Sequence, residues 1–511
     1  MNRWLVGLCS LSLWLGASAV RAQDTTLSVR TVVSAAKQHS PTLKAAMLQF
    51  ESASWDVFGK DALYDPVLLA DASASQVATP NVSSNAVRIN KVRRVDYGAT
   101  LSKHLLWGTD LSLRVSSYVQ KSEFSGSSAA TTPGGMTGLP ANFASFFGIG
   151  SYGPVYALVA KATLKQPLWR GRGRNIGEAS LRAARLTETT QEHTRDRVGS
   201  ELLRDVLTAY WELWYADSAV AIQVQAQAVA TKQRDDAQAR VDSGSLAPAE
   251  VLTFDTQVAT RDEDVLTART ERERRAHELA RLIGNNEDEG TYGAVIDEPL
   301  SDASVHTFAR EIVEQRALNE STEIKERASS LELARVQQKT ADDPKKPRLD
   351  LDSYVQTQGL GNKSVGDAAE QFVGGDVISA FVGLTYEAPI RDRQRRAEAA
   401  KARLATEVAE QQLREVRQRV LSEVRGALDR DSAGREKVAL AERTSGIAER
   451  QLAAEQARYA SGSSTSLAVL EAEDKVRAAR LRLARARADL VESALIIEHL
   501  TGELLDRYAS L

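Results

Sequence analysis

The 511-residue sequence predicts an α+β chain, with long antiparallel coiled-coil helices joined to a membrane β-barrel and an internal twofold structural repeat. Three observations carry this. Residues 172–241 and 391–460 hold no Pro and are dominated by Ala, Arg, Glu, Leu and Gln, which are strong helix formers. Between residues 66 and 168, and again between 348 and 389, the apolar period falls to two, the signature of strands with one apolar and one wet face. Matching residues also recur at fixed distances along the chain, which points to duplication.

Composition narrows the function classes. The chain has 65 Lys+Arg against 68 Asp+Glu, a formal net charge of −3, so it lacks the basic excess that phosphate binding needs, and nucleic acid is excluded as a partner. Six His and one Cys, Cys9, argue against a His- or Cys-ligated metal site. No metal and no cofactor is expected.

The first element is an export signal at residues 1–22. Met1-Asn2-Arg3 is a positive start, Trp4 to Gly16 an apolar run, and Val20-Arg21-Ala22 offers small residues at −3 and −1 of a cleavage after Ala22. Removing Arg3 and Arg21 leaves 63 basic against 68 acidic residues and no Cys. No later stretch reaches 18 uninterrupted apolar residues, so any membrane crossing would be by a β-barrel.

The first repeat covers 23–284. A pre-strand helix is expected over about 29–62. The strand block 66–168 follows: Pro66–Val77, a loop at 79–92, Arg93–Leu106, a tight turn at Trp107-Gly108-Thr109, Asp110–Gln120, a long loop at 121–151, and Gly153–Leu168. The rows Val95, Tyr97, Ala99, Leu101 and Leu111, Leu113, Val115 are its apolar face. The long helix then carries Leu202, Val206, Ala209, Leu213 and Ala216 at four-three-four-three spacing, a narrow packing seam. It ends at a tip turn, 242–248, where Gly244 supplies the left-handed C-cap residue. A return helix closes the repeat at Leu282-Ile283-Gly284.

Residues 285–307 read as a linker. The second repeat, 308–504, has a pre-strand helix (about 305–341), strands 348–358 and 377–389, a long helix, a tip turn at 460–466 and a return helix. A tail, 505–511, ends the chain. Arg240 to Arg458, Gly244 to Gly462 and Leu252 to Leu470 are displaced by 218 residues. Pro66 to Pro347 is a displacement of 281, and Pro167 to Pro389 of 222, so the first half carries about 60 extra residues between its prolines. A 70-residue helix spans about 105 Å, and the return and pre-strand helices are each about half of that. One full-length and two half-length helices per repeat would make a rod capped by strands.

In this order, the motifs Arg240, Gly244, Val251-Leu252 and Arg458-Tyr459, Gly462, Val469-Leu470, the strand exit Gln166-Pro167-Leu168 and the stretch Ala209-Tyr210-Trp211-Glu212-Leu213 resemble the TolC family of outer-membrane efflux proteins over essentially the whole mature chain. The resemblance implies a homotrimer. Its strands would join into one outer-membrane β-barrel in contact with lipid, and its helices into a periplasmic tunnel. It implies a periplasmic adaptor (membrane fusion) protein at the tunnel tip and an inner-membrane pump of RND, ABC or MFS type. The function implied is that of a passive exit duct of a tripartite efflux or type I secretion system, not an enzyme.

Candidate sites follow from the two tips. Arg240, Ser243, Gly244, Ser245, Leu246, Arg458, Tyr459, Ser461, Gly462, Ser463 and Ser464 are expected to meet the adaptor. The resemblance implies an acidic ring just beyond the second tip. Aligned on Gly462, its two positions are Ala468 and Glu471, so one acid is missing and Glu250 stands in as a substitute; Tyr459 falls where a tyrosine holds the closed tip. Ordinary helix-start acids, favoured by the dipole, are the competing explanation for Glu250 and Glu471.

The family norm of two strands per repeat gives twelve in a trimer. The alternation here admits six strands per chain and eighteen in all, or a hairpin, Arg93–Gln120, outside a twelve-stranded barrel. Gly171-Arg172-Gly173-Arg174-Asn175-Ile176-Gly177 has the wrong spacing for a dinucleotide fingerprint and is expected to pass the chain from strand to helix, its arginines solvated or meeting lipid head groups. His277-Glu278 lacks the second His of a zinc-protease helix, and Trp211 and Trp214 are expected to pack between helices. The alternative to a duct is an exported non-channel coiled-coil structural or adaptor protein, which leaves the alternating segments unexplained.

Overall fold

The computed structural model describes residues 27–83, 86–125, 151–244, 247–284, 309–362, 364–375 and 377–508. The export signal, all of the linker 285–307, most of the loop 121–151, the end of the tail, and Ser245 and Leu246 lie outside the described residues.

The elements are α1 (Val29–His39), α2 (Pro41–Asp61), β1 (Val67–Ser83), β2 (Ala86–His104), β3 (Asp110–Ser125), β4 (Ser151–Pro167), a single turn α3 (Arg174–Gly177), α4 (Ala179–Asp242) and α5 (Pro248–Ile283). Then come α6 (Arg310–Glu320), α7 (Thr322–Asp342), β5 (Arg348–Gly361), α8 (Val365–Gly374), β6 (Ile378–Glu387), α9 (Arg393–Ala460), α10 (Ser466–Leu500) and α11 (Glu503–Tyr508). The starts of α1, α2 and β1 recur 281 residues later in α6, α7 and β5, and the ends of α4 and α9 lie 218 residues apart. The chain divides into two compact units. One holds 46–195 and 323–418; the other holds the described parts of 1–45, 196–322 and 419–511.

Several expectations are corrected. The pre-strand segments are each two helices. In the first, Pro41 disfavours helical geometry at Ser40; in the second, Ser321 takes the same non-helical position. Residues 79–83 and 86–92 are strand, not loop: the ladder runs from Val67↔Ser102 to Ser83↔Ala86. Pro80 suggests a break, yet β1 is an edge strand of this sheet, where a missing N–H is tolerated. The stretch between β5 and β6 contains α8, capped by Ser364, whose side chain accepts from the Asp367 N–H. The start of the tail is helical in α11, with Leu504 buried beside Leu505 and Tyr508.

The first unit contains one antiparallel sheet in the order β1-β2-β3-β4-β5-β6. The predicted hairpin 93–120 is therefore an integral part of it, as β2 and β3. The row through Leu68, Leu101, Leu113, Ala162, Val355 and Ala380 lies on one face by register. On that face Val95, Tyr97, Leu101, Leu111, Leu113 and Val115 are each 40–50% exposed. The other face is laced by charge. Arg114 bonds both Asp71 oxygens at 2.7–2.9 Å, Arg94 lies 3.7 Å over Tyr118, and Lys161 lies 3.9 Å over Tyr354. Burial thus runs opposite to that of a water-soluble sheet, whose apolar face is covered.

The glycine run after β4 does what its composition suggests. Gly171 and Gly173 have φ of 81° and 91°. The Gly171 N–H donates to Asp343 Oδ2 at 2.6 Å, and the Gly173 N–H to the Trp107 carbonyl at 3.2 Å. A Cβ at Gly177 would lie 2.2 Å from the Leu106 carbonyl oxygen. The β2–β3 turn is thereby seated against the strand exit, anchoring the additional hairpin.

In the other unit the predicted seam is the core: Leu202, Val206, Ala209, Leu213 and Ala216 are all buried. The first four pack with Val32, Leu43, Tyr210, Leu279 and Ile283, with Trp211 and Trp214 against them. Each fully buried Leu contributes about 1.5–3 kcal/mol. The return helices dock alike. A Cβ on Gly284 would meet the His39 carbonyl oxygen at 2.8 Å, and one on Gly502 the Glu320 carbonyl oxygen at 3.0 Å.

Candidate functional site: the paired helix tips

Both tips end a long helix on a left-handed glycine, Gly244 at φ 79° and Gly462 at φ 75°. At the first, the Ser243 N–H reaches the Ala239 carbonyl at 3.1 Å and the Gly244 N–H the Val241 carbonyl at 2.8 Å. At the second, the Ser461 N–H reaches Ala457, the Gly462 N–H Tyr459 and the Ser463 N–H Arg458, at 2.9–3.2 Å. Ser461 Oγ and Ser463 Oγ both donate to the Arg458 carbonyl, and Ser464 Oγ bonds Glu455. The serines therefore satisfy the carbonyls that a helix end leaves open.

The next helices start differently. Thr465 Oγ1 caps α10 by accepting from the Ala468 N–H at 3.3 Å. The start of α5 has Ala247 at the cap with Pro248 after it and no side-chain cap bond, so a Ser or Thr cap is present at one tip only. The apolar pairs also part company. Val469 and Leu470 are both buried, whereas Val251 is buried and Leu252 is 66% exposed. Ala237, Val251, Phe254 and Leu470 form one small core that ties the two hairpins together.

Glu250 lies exposed in the first turn of α5, and Glu471 lies exposed near the start of α10. The Tyr459 ring is met by Arg240, whose guanidinium carbon lies 5.0 Å from the ring centroid. Sequence reasoning listed both residues but had no signal for their contact. It also missed a charged lattice above the tips. Arg261, 4% exposed, bonds Asp264 at 2.7 Å and also Asp474, while Arg477 bonds the same two carboxylates at 3.2 and 3.5 Å. The only sequence trace is a pair of i,i+3 charge pairs in opposite order on α5 and α10. Beside them Glu473 accepts from Gln233, and burial pushes its carboxyl up to about 7.

Among the described residues no group of His, Cys, Asp and Glu could hold a metal ion. Nor is any described helix long and apolar enough to cross a membrane.

Residues 313–503 match the family model described as outer membrane efflux protein. No curated protein matches the chain by sequence. Among solved structures the chain is similar to the outer membrane protein VceC from Vibrio cholerae, at 17% identity and a TM-score of 0.61 over 93% of this chain and 96% of that one. It is also similar to the Campylobacter jejuni CmeC outer membrane channel, at 14% identity and 0.62 over 98% and 94%. The open state of the Neisseria gonorrhoeae MtrE outer membrane channel gives 16% and 0.62 over 95% and 93%. The shared fold is that of outer-membrane channels, as the resemblance to TolC-family proteins implied.

Proposed function

We propose that this chain, whose residues 313–503 carry the outer membrane efflux protein sequence pattern and whose fold is shared with outer-membrane channels, is one protomer of a trimeric exit duct. The carrying observation is the exposed apolar face of the sheet. Leaving Val95, Leu101, Leu113 and Val115 in water would forfeit about 25 cal/mol per Å² of apolar surface; lipid removes that cost. A six-stranded sheet with open edges at β1 and β6 needs further strands to close. Three copies supply eighteen. The charged face then lines the pore.

The tips Arg240–Leu246 and Arg458–Ser464 would receive a periplasmic adaptor fed by an inner-membrane pump, with Glu250, Glu471 and Tyr459 at the aperture. The duct is passive: substrate moves through it, and the energy comes from the pump. The repeat then arises from duplication, and three chains with two hairpins each form a quasi-sixfold ring of tips. Fractionation of cells expressing the full chain, followed by cross-linking, tests this reading. The expected product is a trimer in the outer membrane that forms conducting channels in planar bilayers. A monomer in the soluble periplasmic fraction would refute it.

A further inference from the structure

The apolar face of the sheet has an aromatic margin where the strands run into helix. Tyr386 on β6 lies opposite Leu349 on β5, and Trp169, just after β4, meets the Tyr386 ring edge to face at 6.1 Å. Trp107, in the turn between β2 and β3, is exposed at the same end. Exposed Trp and Tyr gathered at one end of a barrel form the girdle of a lipid boundary. From Tyr386 the same face of β6 continues as Leu384, Val382, Ala380 and Ile378, all exposed.

At the other end the face is covered by α8. From Leu349 to Gly359 is ten residues along β5, which at a rise of about 3.3 Å and a tilt of roughly 40° gives a height of about 25 Å. That is the height of the lipid-facing band of an outer-membrane barrel. By alternation Gly359 and Gly361 share the face of Val355, and a Cβ on either would collide with the carbonyls of Ala368 and Ser364 respectively. Two glycines thus let the α8 backbone rest on the apolar face. The helix also closes the strand end. β6 starts opposite Thr357, and the Leu360 N–H beyond it donates to Gln371 Oε1 at 2.7 Å. Ser364 caps the start of α8 and Gly375, at φ 70°, its end. Backbone groups left open would be costly in lipid, and here they are met. Along α8, Val365, Ala369 and Val373 form a row at i, i+4 and i+8 with Phe372 beside it, while Asp367, Glu370 and Gln371 hold the opposite side. Val373 is 83% exposed.

We propose that α8 is an interfacial helix, which seats Val365, Ala369, Phe372 and Val373 in the acyl–headgroup boundary of the distal leaflet and turns Asp367 and Glu370 to water. The proposal rests on the membrane-duct reading above. The barrel is then held at both lipid boundaries, by the rings of Trp169 and Tyr386 at the helix end and by α8 about 25 Å away. The rival occupant is the next protomer. β1 has 17 residues and β6 has 10, so when the sheet closes on a second copy the far part of that copy's β1 runs past β6 toward α8. The row Val365, Ala369 and Val373 favours lipid, because it continues the exposed apolar face at the height where that face ends.

The test uses the full-length chain with Cys9→Ser, purified and reconstituted in vesicles of phosphatidylethanolamine and phosphatidylglycerol. A nitroxide is attached to Val373→Cys, Glu370→Cys or Leu384→Cys, and collisions with oxygen and with a water-soluble nickel chelate are read by spin resonance. At position 373 the label should be readily reached by oxygen and several-fold less accessible to nickel than the label at position 370. The label at position 384, within the band, should be the least accessible to nickel. Equal nickel accessibility at 373 and 370 would put α8 in water and overturn the proposal. Shielding of position 373 from both oxygen and nickel would put it beneath the next protomer, which overturns the proposal and leaves the duct intact. Ready access of nickel to position 384 would overturn the duct itself.

Discussion

The guanidinium of Arg240 stands 5.0 Å from the centroid of the Tyr459 ring, so each tip hairpin contributes half of one contact. A cation over an aromatic face at a wet surface is worth about 0.5–1 kcal/mol. That is a few-fold in an equilibrium, enough to bias a closed tip without locking it. Tyr459→Ala and Arg240→Ala should each raise the open probability of channels in planar bilayers by a few-fold. The double variant should add little beyond either. Strictly additive effects would mean that the two residues act separately.

The tip glycines test adaptor docking. No atom lies within 4 Å of a Cβ built on Gly244 or Gly462, so a larger side chain meets space there and the cost is backbone strain alone. A left-handed β-branched residue costs about 1–2 kcal/mol. Gly244→Val and Gly462→Val should therefore distort the turn, remove cross-linking to the adaptor and abolish efflux, with the trimer still formed. Wild-type cross-linking yields in both variants would rule these turns out as the docking surface.

Glu250 in the first turn of α5 and Glu471 in the second turn of α10 are both exposed, as an aperture ring requires. Three copies converging on a narrow mouth should attract cations. Reversal potentials under a salt gradient should shift toward lower cation selectivity in Glu471→Ala, with weaker block by multivalent cations and a further shift when Glu250→Ala is added. If selectivity and block stay as in wild type in both single variants, the carboxylates are ordinary helix-start acids.

A pH dependence follows from Glu473. Burial raises its carboxyl from an ordinary 4.5 to about 7, with Asp474 adding to the rise; hydrogen bonds from Gln233 and Gln456 and the charge of Arg261 act against it. Between those values the folded state binds more proton than the unfolded chain, so stability falls as pH rises from about 4.5 to 7 and is level above. Glu492, also raised to about 7 by burial and by the adjoining Glu212, acts in the same direction. Thermal unfolding of purified protein should show a higher midpoint at pH 5 than at pH 8. Glu473→Gln should narrow that difference mainly by raising the midpoint at pH 8. A midpoint independent of pH in wild type would contradict this.

The barrel count can be settled by labelling. With β2 and β3 integral to the sheet, Leu101 and Leu113 lie opposite each other on its exposed apolar face, which in the proposed barrel would meet lipid. Leu101→Cys and Leu113→Cys should resist impermeant thiol reagents added to whole cells and react with a membrane-soluble maleimide. Ready labelling from outside would place the hairpin in a loop and return the trimer to twelve strands.

What the sequence by itself determined was everything periodic or repeated along the chain. Leu202, Val206, Ala209, Leu213 and Ala216 could be named as core because a helix presents every third or fourth residue to one side, and all five are buried. Val95 to Leu101 and Leu111 to Val115 could be named as one face because a strand alternates. The glycines at 244 and 462 could be named as turn residues because few others take positive φ at little cost. Strand ends were not legible: β1 continues through Pro80 because its partner β2 supplies a ladder, which only pairing decides. Helix α8 escaped because ten residues between strands look like a loop until they find a surface. Gly359 provides it, where a Cβ would come 1.9 Å from the Ala368 carbonyl oxygen. The meetings of Arg240 with Tyr459, Arg261 with Asp474 and Gln233 with Glu473 each join residues more than 200 positions apart. No local pattern encodes such a distance; helix packing brings the side chains together, and the burial that follows raises the Glu473 carboxyl.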